Sequence, residues 1–207
     1  MKFTEYLKYV DTNSLRRITE SSSKKKVQPK NKAELMKIIK DAIQKDGSNC
    51  NLNFIDTRFI TDMSDLFANS KFNGDISGWD VHNVKDMSFM FDGTKFNGDI
   101  SDWKVQRVES MRNMFSNSEF NSDISKWEPF SVEDMSGMFR NSKFNSDVSK
   151  WDVSTVKDMS GMFMGSKFSK DISKWDVSDV ESHRKMFDNS PLENKPEFQP
   201  KFNKELF

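Results

Sequence analysis

The chain has 207 residues, of which 35% are hydrophobic and 31% charged, a low apolar share for a chain that must still build a core. Lysine plus arginine equals aspartate plus glutamate, 32 against 32, so no overall field favours nucleic acid or an anionic membrane. The single cysteine, Cys50, excludes an internal disulfide framework and a four-thiolate zinc site and reads as a small, partly buried thiol.

In chain order, residues 1–20 form an amino-terminal arm in which Phe3, Tyr6, Leu7 and Val10 line one side of a short helix. Such a helix is too short to hold alone, so it is expected to dock, either on a partner or back on its own chain. The arm lacks the apolar run of about 7 to 15 residues of a secretory signal, and no later run is long enough for a bilayer. The chain therefore reads as made soluble in the cytoplasm, without a membrane span. Residues 21–30, SSSKKKVQPK, are polar and basic and read as a linker whose lysine run is solvated rather than bound to nucleic acid.

Residues 31–47 carry the marks of a capping helix. Asn31 and Glu34 stand at capping-box spacing, Leu35, Ile38, Ile39, Ala42 and Ile43 share a face, and Gly47 closes the end. From 48 to 190 one pattern repeats every 24 residues: Trp79, Trp103, Trp127, Trp151 and Trp175 are all the tryptophans present. Phenylalanine follows the same step from Phe72 to Phe168 and from Phe67 to Phe187, and Leu52, Ile55, Ile60 and Met63 form a degenerate first copy. Residues 191–207 hold Pro191, Pro196 and Pro200 with Leu192, Phe198, Phe202 and Phe207, the pattern of a tail laid over the last repeat.

Columns take their numbers from the copy containing Trp79, so that column 86 means Asp86 and its equivalents at steps of 24. Trp79 and Val81 flank Asp80 in the period-two pattern of a short strand. Column 86 holds Asp or Ser, suited to accept from free N–H groups at a helix start, and column 93 alternates Asn and Gly, suited to a left-handed helix end. The pattern predicts strand, turn, one-turn helix and turn in each copy. One copy cannot bury its apolar columns, so copies must stack. The predicted class is α/β: a leucine-rich-repeat-like right-handed solenoid of short parallel strands and one-turn helices, with an amino-terminal capping helix.

The frame Ile76-x-x-Trp79-x-Val81-x-x-Val84 resembles that of leucine-rich repeats. The fuller wording FNGDISGWDVHNV followed by DMSFMF resembles the repeats of BspA-like leucine-rich-repeat surface proteins of bacteria and mycoplasmas, over about residues 50 to 190. The resemblance implies a non-enzymatic module for protein recognition or cell-surface adhesion, with no catalytic residues to carry over and a surface location. The arm sequence MKFTEYL is similar to amino-terminal peptides of some tailed-phage virion proteins, which implies the alternative of a structural component of a virion or other assembly, docked through its arm among other subunits.

No nucleophile, base and orienting group share a motif, and no glycine-rich phosphate loop occurs. His82 and His183 read as structural. The methionine columns read as packing, so no cofactor is expected. Asp75, Asp99, Asp123, Asp147 and Asp171 stack in one column, where backbone N–H groups are expected to offset their repulsion in preference to calcium. A binding site is predicted where the pattern breaks: WEPFSV replaces WDVSTV, putting Pro129 in an inward valine column, with loss of a ladder hydrogen bond, and turning Phe130 outward. Lys104, Gln106, Lys126, Glu128 and Ser154 surround it in the predicted register, and a protein or cell-surface ligand is the expected partner.

Overall fold

In the computed structural model residues 26–203 are described; Phe3, Tyr6, Leu7 and Val10 of the arm, the first half of the linker and Phe207 lie outside the described residues. Helix α1 spans Lys32–Asp46. The Asn31 Oδ1 accepts the Glu34 N–H at 3.0 Å, while the Glu34 carboxylate reaches back to the Lys30 N–H at 2.9 Å, a capping box displaced by one residue. Gly47, at φ 85°, ends the helix and donates its N–H to the Ile43 carbonyl. Leu35, Ile39 and Ala42 are buried against the first repeat, and the Lys32 ammonium bonds to Asp62 at 3.0 Å and to the Ser64 hydroxyl.

Beyond α1, the repeats lie side by side in strict register. Isolated parallel bridges join Asp62 to Asp86, Asp86 to Ser110, Ser110 to Asp134, Asp134 to Asp158 and Asp158 to Ser182. The strand expected at Trp79–Val81 forms no bridge: these residues lie between two turns, with Trp79 and Val81 buried and Asp80 exposed. The inside-out alternation is the predicted one, but pairing between repeats runs mainly through columns 85 to 95.

The expected one-turn helix after column 86 does not form. Its N–H groups at Met87, Phe89, Phe91 and Gly93 donate to the carbonyls of Ser110, Arg112, Met114 and Ser116 in the next repeat, at 2.8 to 3.0 Å. The intervening N–H groups of Met90, Asp92 and Thr94 close local turns onto Met87, Phe89 and Phe91. Neighbouring residues thus alternate between bonding inward along the chain and bonding across to the next repeat. This alternation requires positive φ at every second turn, as in type II geometry. Column 93 has it throughout, from Asn69 at 54° to Asn189 at 56°, and column 89 has it too, including Phe89 at 59° and Lys185 at 56°. A segment of six residues is too short to sustain a helix, whereas one such bond per two residues to each neighbour satisfies the backbone completely.

Aromatic ladders fill the space between these turns. Phe67, Phe91, Phe115, Phe139, Phe163 and Phe187 stack with centroids 5.5 to 6.3 Å apart, and Phe72, Phe96, Phe120, Phe144 and Phe168 form a second stack beside them. Each indole N–H donates backwards to the preceding repeat, as from Trp127 to the Ile100 carbonyl at 3.0 Å. Polar ladders run in parallel: the side-chain carbonyls of Asn73, Asn97 and Asn121 accept the N–H of Asn97, Asn121 and Asn145. Buried Thr94 and Ser118 return their hydroxyls to the Phe91 and Phe115 carbonyls. No buried side-chain nitrogen or oxygen among the described residues lacks a partner, as close packing of polar columns demands.

At the far end Pro196–Phe198 forms a single 3-10 turn, the Ile172 N–H donates to the Phe198 carbonyl at 3.0 Å, and Phe202 stacks on the His183 ring with centroids 3.9 Å apart. Leu192 is fully buried. No helix among the described residues is long and apolar enough to cross a membrane.

Candidate functional site

The break in the repeat at WEPFSV is accommodated without disturbing the register. Pro129 is buried in the column of Val81, Val105, Val153 and Val177. Those valines donate no backbone hydrogen bond, so proline removes none, contrary to the loss expected from the sequence. The Pro129 carbonyl still accepts the Val132 N–H at 3.0 Å, just as the Val81 carbonyl accepts that of Val84. Proline is tolerated here because the column lies outside the inter-repeat bonding network.

Phe130 is 45% exposed. In the equivalent turns of other repeats a short aspartate folds back on the backbone, with Asp80 accepting the His82 N–H, Asp152 that of Ser154 and Asp176 that of Ser178. Glu128 occupies that aspartate position before Phe130, and its carboxylate reaches across to the Gln106 amide of the preceding repeat at 2.7 Å. The Thr155 hydroxyl of the following repeat bonds the Phe130 carbonyl at 3.1 Å. The aromatic ring is therefore carried on a backbone tied to its following neighbour, and the residue two positions before it is tied to the preceding one. Lys104 and Lys126 are exposed, and Ser154, half-buried, bonds its own Asp152 rather than Phe130. Of the residues gathered in the predicted cluster, Gln106 and Glu128 make a direct contact; the others are placed by register.

The aspartate column is bound by its own turns. The Oδ1 atoms of Asp75, Asp99, Asp123, Asp147 and Asp171 accept the N–H groups of Ser77, Ser101, Ser125, Ser149 and Ser173 at 2.8 to 3.0 Å. These backbone hydrogen bonds, helped by the serine hydroxyls, hold each carboxyl below the ordinary value of 3.8. His82 Nδ1 lies 2.6 Å from the Asp80 carboxylate. The side chains of Met87, Met90, Met111 and Met114 are fully buried among the aromatic ladders.

Two exposed aromatics escaped the sequence reading. Phe54 is 39% exposed and Phe59 is 63% exposed, with the Arg58 guanidinium 6.0 Å from the Phe59 ring centre. Both sit in the degenerate first copy, where departures from the pattern are too frequent for any one to stand out.

The family described as Mycoplasma protein of unknown function, DUF285, matches the chain twice, over residues 35–143 and 116–203. The matches cover nearly all of α1, all the repeats and most of the tail. The chain belongs to this family. No curated protein and no solved structure matches it.

Proposed function

We propose that the protein is a non-enzymatic binding module: a leucine-rich-repeat-like solenoid of the BspA-like type, presenting outward columns for protein recognition or cell-surface adhesion. Support for the architecture comes from the bridges, which link like positions at steps of 24 residues, and from hydrogen bonds that repeat in the same register from one copy to the next. Support for binding comes from one observation above the rest, the exposed Phe130 on a backbone held at Thr155 and beside the Glu128–Gln106 pair. Exposed aromatics on pre-organised backbone lose little entropy on docking and dominate interface energetics.

The test begins with the partner captured by the intact chain from surface extracts, followed by affinity measurement on variants. Phe130→Ala should weaken binding by about 1 to 3 kcal/mol while leaving the melting temperature almost unchanged. Unaltered affinity in the folded variant refutes the site. Deletion of residues 1–20 should leave binding intact on this reading, whereas a chain docked into an assembly through its arm would lose incorporation.

A further inference from the structure

The repeats break their rule a second time, at column 88, which is serine in Ser64, Ser88, Ser136 and Ser160 but arginine in Arg112 and Arg184. Between the two arginines, column 89 shrinks to Gly137 and Gly161, and column 92 contributes Arg140. These changes open one groove of about 370 Å³ across four successive repeats. Its lining carries the cations Arg112, Arg140, Arg184 and Lys185 and one carboxylate, Asp158, in a chain whose net charge is zero; Arg184 already has a partner of its own. Asp158 is already engaged, accepting the Ser160 N–H at 2.7 Å. Arg112 holds Asp134 only at 3.9 Å with its side chain 54% exposed, and Arg140 has no ion pair among the described residues.

The floor is open because of glycine. A Cβ at Gly161 would meet nothing nearer than 3.9 Å, while one at Gly137 would lie 2.1 Å from the Asn113 Oδ1 and would have to displace that side chain. Spacing then selects the ligand. Repeats spaced about 4.8 Å apart spread Arg112, Arg140 and Arg184 over about 15 Å, too far for one oxyanion to bridge. A chain bearing anionic groups at intervals can engage all three. The exposed large apolar side chains, among them Phe59 and Phe130, are absent from the lining, so nucleobases would find no stacking platform.

We propose that this groove binds a sulfated or phosphorylated polysaccharide, its ester oxyanions pairing with Arg112, Arg140 and Arg184 across neighbouring repeats. The site is separate from Phe130 and does not depend on the reading of that residue.

The experiment is fluorescence anisotropy of a labelled, sulfated heparin octasaccharide titrated with the full chain. Binding should saturate and weaken with added salt. Arg112→Ala and Arg140→Ala should each weaken it about two- to fivefold, as expected for loss of a solvent-exposed ion pair. Gly161→Asn should also weaken it by filling the floor; the backbone tolerates asparagine there, since Asn113 adopts φ 51° in the same column. Phe130→Ala should leave it unchanged, and near-ultraviolet circular dichroism of the tryptophans verifies folding of each variant. The proposal is overturned if the folded Arg112→Ala/Arg140→Ala double variant binds as well as the parent, or if the desulfated octasaccharide binds equally. Inorganic sulfate competing at the concentration of ester groups would reduce the groove to a single-anion site, and tighter binding of an oligothymidylate of equal charge would reassign it to nucleic acid; either result also overturns it.

Discussion

Replacing Trp127 by alanine tests the stacked core at its centre. The side chain is 2% exposed, its ring stacks on Trp103 at 6.4 Å and on Trp151 at 6.3 Å, and it tilts against Phe115 at 6.4 Å. Its indole N–H satisfies the Ile100 carbonyl at 3.0 Å. Truncation removes the buried ring and leaves a cavity, and the two together cost about 3 to 5 kcal/mol. The Ile100 carbonyl still accepts the Trp103 N–H at 3.2 Å, so losing the indole removes its second hydrogen bond at a cost of about 1 kcal/mol, and Trp127→Phe, which keeps most of the stacking, should cost about 1 to 2 kcal/mol. Neighbouring Lys126 is exposed, and Lys126→Ala should stay within about 0.5 kcal/mol. Urea unfolding followed by far-ultraviolet circular dichroism measures all three, since the four remaining tryptophans complicate fluorescence. Equal effects at positions 126 and 127 would refute the inward assignment of the tryptophan column. A Trp127→Phe variant as damaged as Trp127→Ala would show that the cross-repeat hydrogen bond, not ring burial, carries the stability.

The turn geometry predicts that Gly93→Val destabilises strongly, because φ is 67° and a Cβ would lie 2.5 Å from the Asn69 Oδ1. Gly93→Asn should be nearly neutral, since Asn117 and Asn141 already pair side by side in that column at 3.1 Å, and thermal melts separate the two. Valine tolerated as well as asparagine would contradict the left-handed assignment. The aspartate column predicts acid sensitivity: as pH falls, carboxyls held below 3.8 in the folded chain take up protons later than in the unfolded chain. Their contribution is complete above the ordinary carboxylate value and is lost as pH falls through the lower folded values, so urea midpoints should drop across that range. Asp123→Asn should flatten the drop, and a midpoint independent of pH across the acid range would exclude the contribution.

The 24-residue period, the sidedness of each column, the bounds of α1 and the outward turn of Phe130 were all legible in the amino-acid sequence. Those properties arise from local chemistry: apolar residues recur where they must be buried, Asn31 and Gly47 supply the helix ends, and Asn or Gly at column 93 declares positive φ without reference to any distant residue.

Where the backbone hydrogen bonds go depends on the stacking of the repeats. The stretch from Met87 to Gly93 carries helix-compatible residues between a helix-starting and a helix-ending signal, yet its N–H groups leave for Ser110, Arg112, Met114 and Ser116. Column 89 concealed this, because Phe89 and Lys185 adopt left-handed φ that neither side chain advertises, while Asp65, Asn113, Gly137 and Gly161 are the members that betray it. The grouping of Arg112, Arg140 and Arg184 was equally invisible, since residues 28 and more apart meet only once the register between repeats is set. Local pattern specifies which residues face inward, but the acceptor of a backbone N–H in a short segment is chosen by whichever neighbour lies within reach. For this chain that neighbour is the next repeat, whose carbonyls arrive in matching register and outcompete a helix too short to nucleate.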